Sequence, residues 1–319
     1  MPKLPEELHD HFIDRDDFCY PEWQSIDAKI NAYDVEQQKI DLWREATLTW
    51  LDRIQKKLGV QYVIYETKHF LFVANPTDKP MREYFAFVEK MRHVIHQTLS
   101  GLVWKGGRGK HVILLFDDAA DYFRYIAPFY AEGDHPASGG VFLQGGGYRH
   151  IAIPYYPHST LTTLAHEYTH NSLCHLPLPR WLDESVAMRF EHMLVSRPRL
   201  ILSPDIVEKH HAQWTESTIQ EFWQGKSWTM AGAEFGLSYE FAQILLKKIE
   251  EEIRPSRDSL LAFIGQAHRK DAGEAAAIMH LKISLGQLAT DFLGAGNWGP
   301  QPLHWKKSDA IILSKQHNQ

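Results

Sequence analysis

The stretch that decides the fold is STLTTLAHEYTHNSL, residues 159–173. Ser159 and Thr160 are residue types that begin helices, because their hydroxyl groups accept a hydrogen bond from a free backbone N–H of the first turn. The apolar positions that follow recur at helical spacing, so the stretch predicts one helix. His166 and His170 are four residues apart and therefore project from the same face, about one turn from each other.

Two imidazole rings in this arrangement form half of a possible metal site. Each ring could bind the same Zn²⁺ through a nitrogen at roughly 2.0–2.1 Å. Glu167 follows His166 at about 100° round the helix, which places its carboxylate beside the metal and not on it. There it could take a proton from a metal-activated water. The pattern alone leaves open a helix with two solvated histidines, since the chain has 19 histidines.

The residues after this helix supply a third candidate ligand. Pro177 and Pro179 end the first helix and favour a second one that begins near Arg180. The second helix carries Glu184 in its first turns. A short connection lets the two helices run antiparallel, which would bring Glu184 towards the histidines. Two histidines and one glutamate leave a fourth tetrahedral position open, as a catalytic zinc requires.

Other residues near the second histidine are competing third ligands. Cys174 and His175 directly follow the first helix and would close the site, whereas Asp183 lies where a carboxylate stabilises a helix N-terminus. A metzincin-type site would need glycine and histidine where Leu173 and Leu176 stand. The glutamate is therefore favoured over these alternatives.

The two segments together resemble the gluzincin metallopeptidases, in particular the compact peptidase-MA-like group. The resemblance rests on LAHEYTH at 164–170 and LPRWLDE at 178–184, which match an HExxH helix followed by a Pro-x-Trp-Leu-x-Glu helix. More weakly, it extends over residues 60–293. The family's usual glycine after the glutamate is Ser185 here, a departure that adds a hydroxymethyl group at a close helix contact.

The resemblance implies a zinc peptidase that holds one Zn²⁺ ion with His166, His170 and Glu184. Glu167 would then act as the general base. Tyr239, which is expected to open a later helix, would stabilise the oxyanion, although tyrosines more often fill helical cores. A peptide or protein is the expected substrate.

The resemblance also implies a substrate-binding edge strand before the metal helix. Carried over to this sequence, the strand comprises Gly140, Val141, Phe142 and Leu143, whose backbone would pair with an extended peptide. Simple turn chemistry explains the glycines equally well. His158 and Asn171 flank the metal helix and could orient its ligands, or they could simply be helix-end residues.

The rest of the chain predicts an α+β fold, because a β-rich half precedes a helical half. We expect a small mixed or antiparallel sheet with helices, then a mainly helical zincin lobe, with the metal cleft between them. The predicted segments are an N-terminal helical extension at 1–59, a substrate-edge lobe at 60–158, a helical metallopeptidase lobe at 159–293 and a tail at 294–319.

Several elements are predicted from apolar spacing and turn residues. Residues 1–25 predict a loose or short-helical arm, and residues 26–58 predict one long amphipathic helix that covers a sheet or pairs with another helix. Strands are predicted at 60–65, 69–73, 111–116, 141–143 and 150–153, and a helix at 80–99.

Composition excludes some classes of partner. The net charge is −6 and no long basic run is present, which argues against nucleic acid. The sequence contains no run of eighteen apolar residues, so it predicts no membrane span. The N-terminus lacks the apolar core of a signal peptide, so we expect a cytoplasmic protein in which Cys19 and Cys174 are reduced.

Two alternative functions stay open at this point. The chain could be a binding protein on a gluzincin scaffold, although recognition alone does not require the carboxylate of Glu167 beside the metal. It could also be a zinc hydrolase that acts on a non-peptide amide or ester, because the metal chemistry would be the same.

Overall fold

The computed structural model describes residues 4–15, 17–130, 139–195, 200–228 and 233–305. Within them, strands are concentrated before residue 155 and the remainder is helical, so the predicted α+β class is confirmed. None of the helices in these ranges is both long and apolar enough to cross a membrane.

The chain divides into two compact units. The first comprises the described residues up to Val94 and those from Trp104 to Asn171. The second comprises Ile95–Val103 and the described residues from Ser172 onwards. This division groups residues by proximity and not by function, so the predicted segment boundaries at residues 59, 158 and 293 stay predictions.

The elements up to Leu173 include all the strands of the described residues and six α-helices. In chain order they are α1 (Glu6–His9), β1 (Phe12–Arg15), β2 (Phe18–Pro21), α2 (Trp23–Asn31), α3 (Glu36–Leu58), β3 (Val63–Glu66), β4 (Phe70–Ala74), α4 (Met81–Thr98), β5 (His111–Phe116), α5 (Ala119–Ile126), β6 (Val141–Gly145), β7 (Tyr148–Pro154) and α6 (Thr160–Leu173).

Strands β3–β7 form a mixed sheet in the order β3-β4-β5-β7-β6. The central strands β4, β5 and β7 are parallel, whereas β3 and β6 are antiparallel to their neighbours. Among the described strands, β6, which contains the predicted substrate-binding residues 141–143, therefore lies at one edge of the sheet. Strands β1 and β2 form a separate antiparallel pair.

Helices cover both faces of this sheet within the first unit. On β5, Val112 and Leu114 belong to a hydrophobic cluster that also takes in side chains of α2, α3 and α5. On the other face, Phe70 of β4 and His111 of β5 contact Tyr168 of α6. Because both faces are covered, β4 and β5 are near-continuous apolar runs.

The prediction of one helix over residues 26–58 is wrong. Helix α2 ends at Asn31 and α3 begins at Glu36. Asn31 and Asp34 favour turns because their side chains compete for backbone hydrogen bonds. The apolar repeat crosses the break because both helices bury side chains in the same cluster. Ile40, an apolar residue of the predicted helix, is 51% exposed.

The described residues between 4 and 25 also have more regular structure than the predicted arm. They contain α1 and the β1–β2 pair, and Phe18 and Cys19 of β2 are buried. The Trp50 indole N–H donates to the Cys19 carbonyl oxygen at 3.0 Å, which ties the hairpin to α3. The polar composition was misleading because the few apolar residues of this segment are the ones that pack inwards.

The second unit is helical wherever it has regular structure in the described residues. Its α-helices after α6 are α7 (Arg180–Val195), α8 (Pro204–Gln213), α9 (Thr218–Gln224), α10 (Ala233–Lys248), α11 (Arg257–Gln266), α12 (Glu274–Ala276) and α13 (Leu285–Leu293). Trp181 and Trp223 are fully buried, and their indole N–H groups donate to the carbonyl oxygens of Ala272 (2.9 Å) and Trp298 (2.7 Å). Burial of these large side chains therefore leaves no indole N–H of this pair unsatisfied.

Candidate metal centre

Helix α6 presents the two histidines on one face, as their spacing predicts. The Nε2 atoms of His166 and His170 lie 2.9 Å apart, and both residues are half-buried. Thr160 stabilises the turn before the helix, since its hydroxyl donates to the Tyr156 carbonyl oxygen (2.8 Å) and accepts from the Tyr156 N–H (3.1 Å). The helix therefore begins in a well-bonded turn.

Polar contacts with the sheet set the rotation of α6. His111 of β5 lies 3.2 Å from the Tyr168 hydroxyl through Nε2 and 3.1 Å from the Asn171 amide nitrogen through Nδ1. The Arg149 guanidinium on β7 donates to the Asn171 carbonyl oxygen at 3.0 Å. These contacts hold the face with Tyr168 and Asn171 against the sheet. Asn171 thus acts on helix orientation, whereas His158 is exposed.

Helix α7 begins at Arg180, directly after Pro179, as the two prolines predict. The Leu182 and Asp183 N–H groups donate to the Pro179 carbonyl oxygen at 3.0 and 3.1 Å. Ser185 is buried, and its hydroxyl donates to the Leu182 carbonyl oxygen at 3.0 Å. The departure from the family's glycine is accommodated because this hydroxyl has a partner within its own helix.

The structure brings His166, His170 and Glu184 together. One ligand atom of each lies within 4.8 Å of the others, and Glu184 is buried with 2% exposure. This group could hold a metal ion. Among the described residues, the competing ligands Asp183, Cys174 and His175 are not members of the group.

The donor set fits zinc in chemistry and in spacing. Imidazole nitrogens and a carboxylate are usual zinc donors, and two nitrogens bound to one tetrahedral zinc stand about 3.3 Å apart. The observed 2.9 Å between the His166 and His170 nitrogens is within a few tenths of an ångström of that separation. Side-chain rotation alone can make up the difference.

Glu167 lies beside the edge strand of the sheet. Its side chain is buried, and its Oε2 accepts a hydrogen bond of 2.7 Å from the backbone N–H of Phe142 on β6. An ionised carboxylate can accept several hydrogen bonds, so one contact with Phe142 leaves capacity for a water molecule. The residue predicted as the base and the strand predicted to bind substrate are therefore direct neighbours.

The four predicted substrate-binding residues differ in their surroundings. Gly140 approaches α6 and β7 closely, because a Cβ atom at this position would meet the methyl carbons of Ile153 and Thr163 at 2.3 and 2.4 Å. Leu143 is buried in the hydrophobic cluster and Val141 packs against it. The glycine is thus required by close packing, and any role in binding substrate falls to the strand backbone.

Tyr239 was predicted to open a helix. It lies inside α10 instead. The helix already includes Ala233, because a single glycine at position 236 does not interrupt it. Tyr239 is half-buried, its ring contacts Trp228 and Phe235, and its hydroxyl is hydrogen-bonded to the Arg180 guanidinium. Its predicted role as oxyanion donor stays a prediction.

Sequence reasoning missed the contributions of His111, Arg149 and Arg180. His111 was assigned only to a strand, although a polar residue at the first position of the apolar run HVILLF is a detectable signal. Arg180 was used only to mark the start of α7. Its Nε lies 2.6 Å from Glu184 Oε1, a contact that the spacing of four residues permits.

No protein-family model matches this chain, and no curated protein matches it with significant similarity.

Proposed function

We propose that this protein is a zinc-dependent peptidase of the gluzincin type. The observation that carries the proposal is the convergence of His166, His170 and Glu184 within 4.8 Å, with Glu167 next to the first ligand on α6. Two histidines and a carboxylate leave a coordination position open, which distinguishes a catalytic from a structural zinc.

The metal ligands in this proposal are the imidazole nitrogens of His166 and His170 and a carboxylate oxygen of Glu184. When bound, the ion supplies Lewis acidity, which polarises a carbonyl oxygen and makes water a nucleophile near neutral pH. The contacts of Tyr168 and Asn171 with His111 fix the rotation of α6 and thereby aim both histidines.

Glu167 is the proton carrier in the proposed reaction. Its carboxylate takes a proton from water as the water oxygen bonds to the substrate carbonyl carbon. It then returns that proton to the leaving nitrogen as the C–N bond breaks. The Phe142 N–H, which donates to Oε2 at 2.7 Å, orients the carboxylate for this role.

The edge position of β6 favours a peptide over a small amide or ester. An edge strand presents unpaired backbone groups that can add an extended chain as a further strand. The Phe142 N–H donates to Glu167, so an extended substrate on this edge would pass directly beside the proton carrier.

The test is zinc analysis combined with hydrolysis of a quenched fluorescent peptide library. We compare the wild type with Glu167→Gln and with Glu191→Gln, a matched control on α7 outside the ligand group. The expected result is about one zinc per chain in all three proteins, with hydrolysis lowered by about 10²–10⁴-fold only in Glu167→Gln.

Other outcomes would contradict the proposal in distinguishable ways. A wild type that binds zinc but cleaves neither peptides nor model esters would support a binding protein on a gluzincin scaffold. Cleavage of esters or small amides with no cleavage of peptides would support a non-peptide zinc hydrolase. Absence of bound zinc would refute the metal assignment itself.

A further inference from the structure

Arg180 has two polar partners at the start of α7. Its Nε lies 2.6 Å from Oε1 of Glu184, one turn further along the same helix. Its guanidinium is also hydrogen-bonded to the hydroxyl of Tyr239 on α10. The two side chains of the ion pair differ in exposure, since that of Arg180 is 36% exposed and that of Glu184 only 2%.

The stem of Arg180 is held in place by a neighbouring turn. Gly225 ends α9 in the left-handed conformation with φ 81°, and a Cβ atom there would lie 3.1 Å from the Arg180 Cβ. The absence of a side chain on Gly225 lets the two segments approach closely. A side chain fixed at its stem and bonded at its head loses little further entropy when it orients a partner.

A fixed guanidinium beside a buried carboxylate has a direct consequence for metal binding. A carboxylate has two oxygens, so one can contact an arginine while the other faces a metal ion. Groups that hydrogen-bond to metal ligands fix the orientation of those ligands and raise metal affinity. A buried carboxylate also needs a charged or hydrogen-bonding partner, because an isolated charge is costly to bury.

We propose that Arg180 is a positioning residue for the third metal ligand: it holds Oε1 of Glu184 and the Tyr239 hydroxyl on one guanidinium. This inference rests on the proposed metal site. Arg180 acts through Glu184 and does not itself touch the metal. The planar shape of the guanidinium matters as well as its charge, because one rigid group contacts two separate partners, Glu184 as an ion pair and Tyr239 through a hydrogen bond.

The same helix offers a matched control. Arg189 of α7 also directs its Nε to a glutamate Oε1, that of Glu250, and its side chain has a similar exposure of 31%. Glu250 is not a member of the candidate metal group. Arg180→Gln and Arg189→Gln therefore each remove an arginine–glutamate ion pair of α7, only one of which involves a metal ligand.

The experiment measures zinc affinity by competition with a chromogenic chelator, and the absorption spectrum of the Co²⁺-substituted protein. Arg180→Gln is expected to raise the zinc Kd by about 10–100-fold and to change the Co²⁺ spectrum. Arg189→Gln is expected to leave both within about twofold of the wild type. Arg180→Lys keeps the charge without the planar guanidinium, so it should recover only part of the affinity.

The outcomes separate this inference from the proposed function. If the wild type binds zinc and cleaves peptides while Arg180→Gln keeps its zinc Kd and Co²⁺ spectrum, only the positioning role is refuted. If Arg180→Gln does not fold, Arg180→Lys tests the proposal. A zinc Kd equal to that of the wild type refutes the role of the planar guanidinium, and a zinc Kd raised threefold or more supports it. A wild type without zinc refutes the proposed function first.

Discussion

The two faces of the five-stranded sheet are both buried, but they are built differently. On the face covered by α2, α3 and α5, aromatic and aliphatic side chains form one continuous cluster. For example, the ring of Trp50 contacts the rings of three residues, Trp23, Tyr148 and His150. On the face covered by α6, the strand residue His111 bonds to two polar side chains of the helix.

The two faces of the sheet therefore contribute differently, one mainly to stability and the other to the orientation of α6. Non-directional apolar packing supplies stability but tolerates small rotations of a helix. Directional hydrogen bonds from His111 and Arg149 specify one rotation of α6, and so decide where its histidines and Glu167 point. We therefore expect mutations on either face to lower stability, and mutations that remove the polar contacts of the second face to change metal binding as well.

The largest expected effect is on the apolar face. Trp50→Ala should lower the free energy of unfolding by about 3–5 kcal/mol, because it empties a fully buried site in the cluster. Its zinc Kd, measured where the protein is still folded, should match that of the wild type. Chemical denaturation and chelator competition check both expectations. Val60→Ala, at a fully exposed position, is the control and should change neither quantity.

The next effect concerns the packing of β6 against α6. Gly140→Ala should cost about 1–3 kcal/mol, because the new methyl group would overlap the stiff, branched side chains of Ile153 and Thr163. Gly139→Ala is the matched control, since its Cβ would lie 3.8 Å from the nearest heavy atom, Thr163 Oγ1. Equal unfolding free energies for the two variants would contradict the close approach at Gly140.

The third prediction concerns pH and the apolar face. Burial lowers the pKa of His150 to about 3, and the ring shares a 2.6 Å hydrogen bond with the Tyr125 hydroxyl. An unfolded chain protonates histidine below about pH 6.5, so it binds more protons than the folded chain between pH 6.5 and 3. The contribution of His150 is therefore fully present above pH 6.5 and declines as the pH falls through that window.

Replacement of His150 should reduce this acid sensitivity. Between pH 7.5 and 5.5, His150→Gln should lose about 1.4 kcal/mol less stability than the wild type, because its amide does not titrate. Denaturation curves at the two pH values measure the difference. Val60→Ala, at a fully exposed position and with no titratable group, should keep the wild-type pH dependence. A parallel decline in His150→Gln and the wild type would show that other groups cause the acid sensitivity.

The smallest expected effect compares one hydroxyl on each face. Tyr168→Phe removes the contact with His111, and Tyr148→Phe removes the 3.3 Å hydrogen bond to Thr47. Each should cost about 0.5–1.5 kcal/mol of unfolding free energy. Only Tyr168→Phe should also weaken zinc binding, by less than about tenfold, since it acts on the rotation of α6. Equal zinc Kd values for both variants would contradict the expectation that only the polar contacts of the α6 face affect metal binding.

Local signals carried most of what could be predicted about the site. The spacing of His166 and His170, and the prolines that separate α6 from α7, act within a few residues along the chain. The start of α7 at Arg180 follows from the two prolines just before it, Pro177 and Pro179. The same kind of reasoning failed at residues 26–58. There the apolar repeat continues across the non-helical residues that separate α2 from α3.

The amino-acid sequence by itself therefore determined the fold class, the two helices of the candidate site and the three residues that could hold a metal. Only the tertiary structure decided the order of the strands in the sheet, the contact of the Phe142 amide with Glu167, and the contacts of Arg180 with Glu184 and Tyr239. The physical reason is range. Helical periodicity and proline constraints are set by neighbouring residues, whereas strand order and contacts between distant side chains depend on how the whole chain packs.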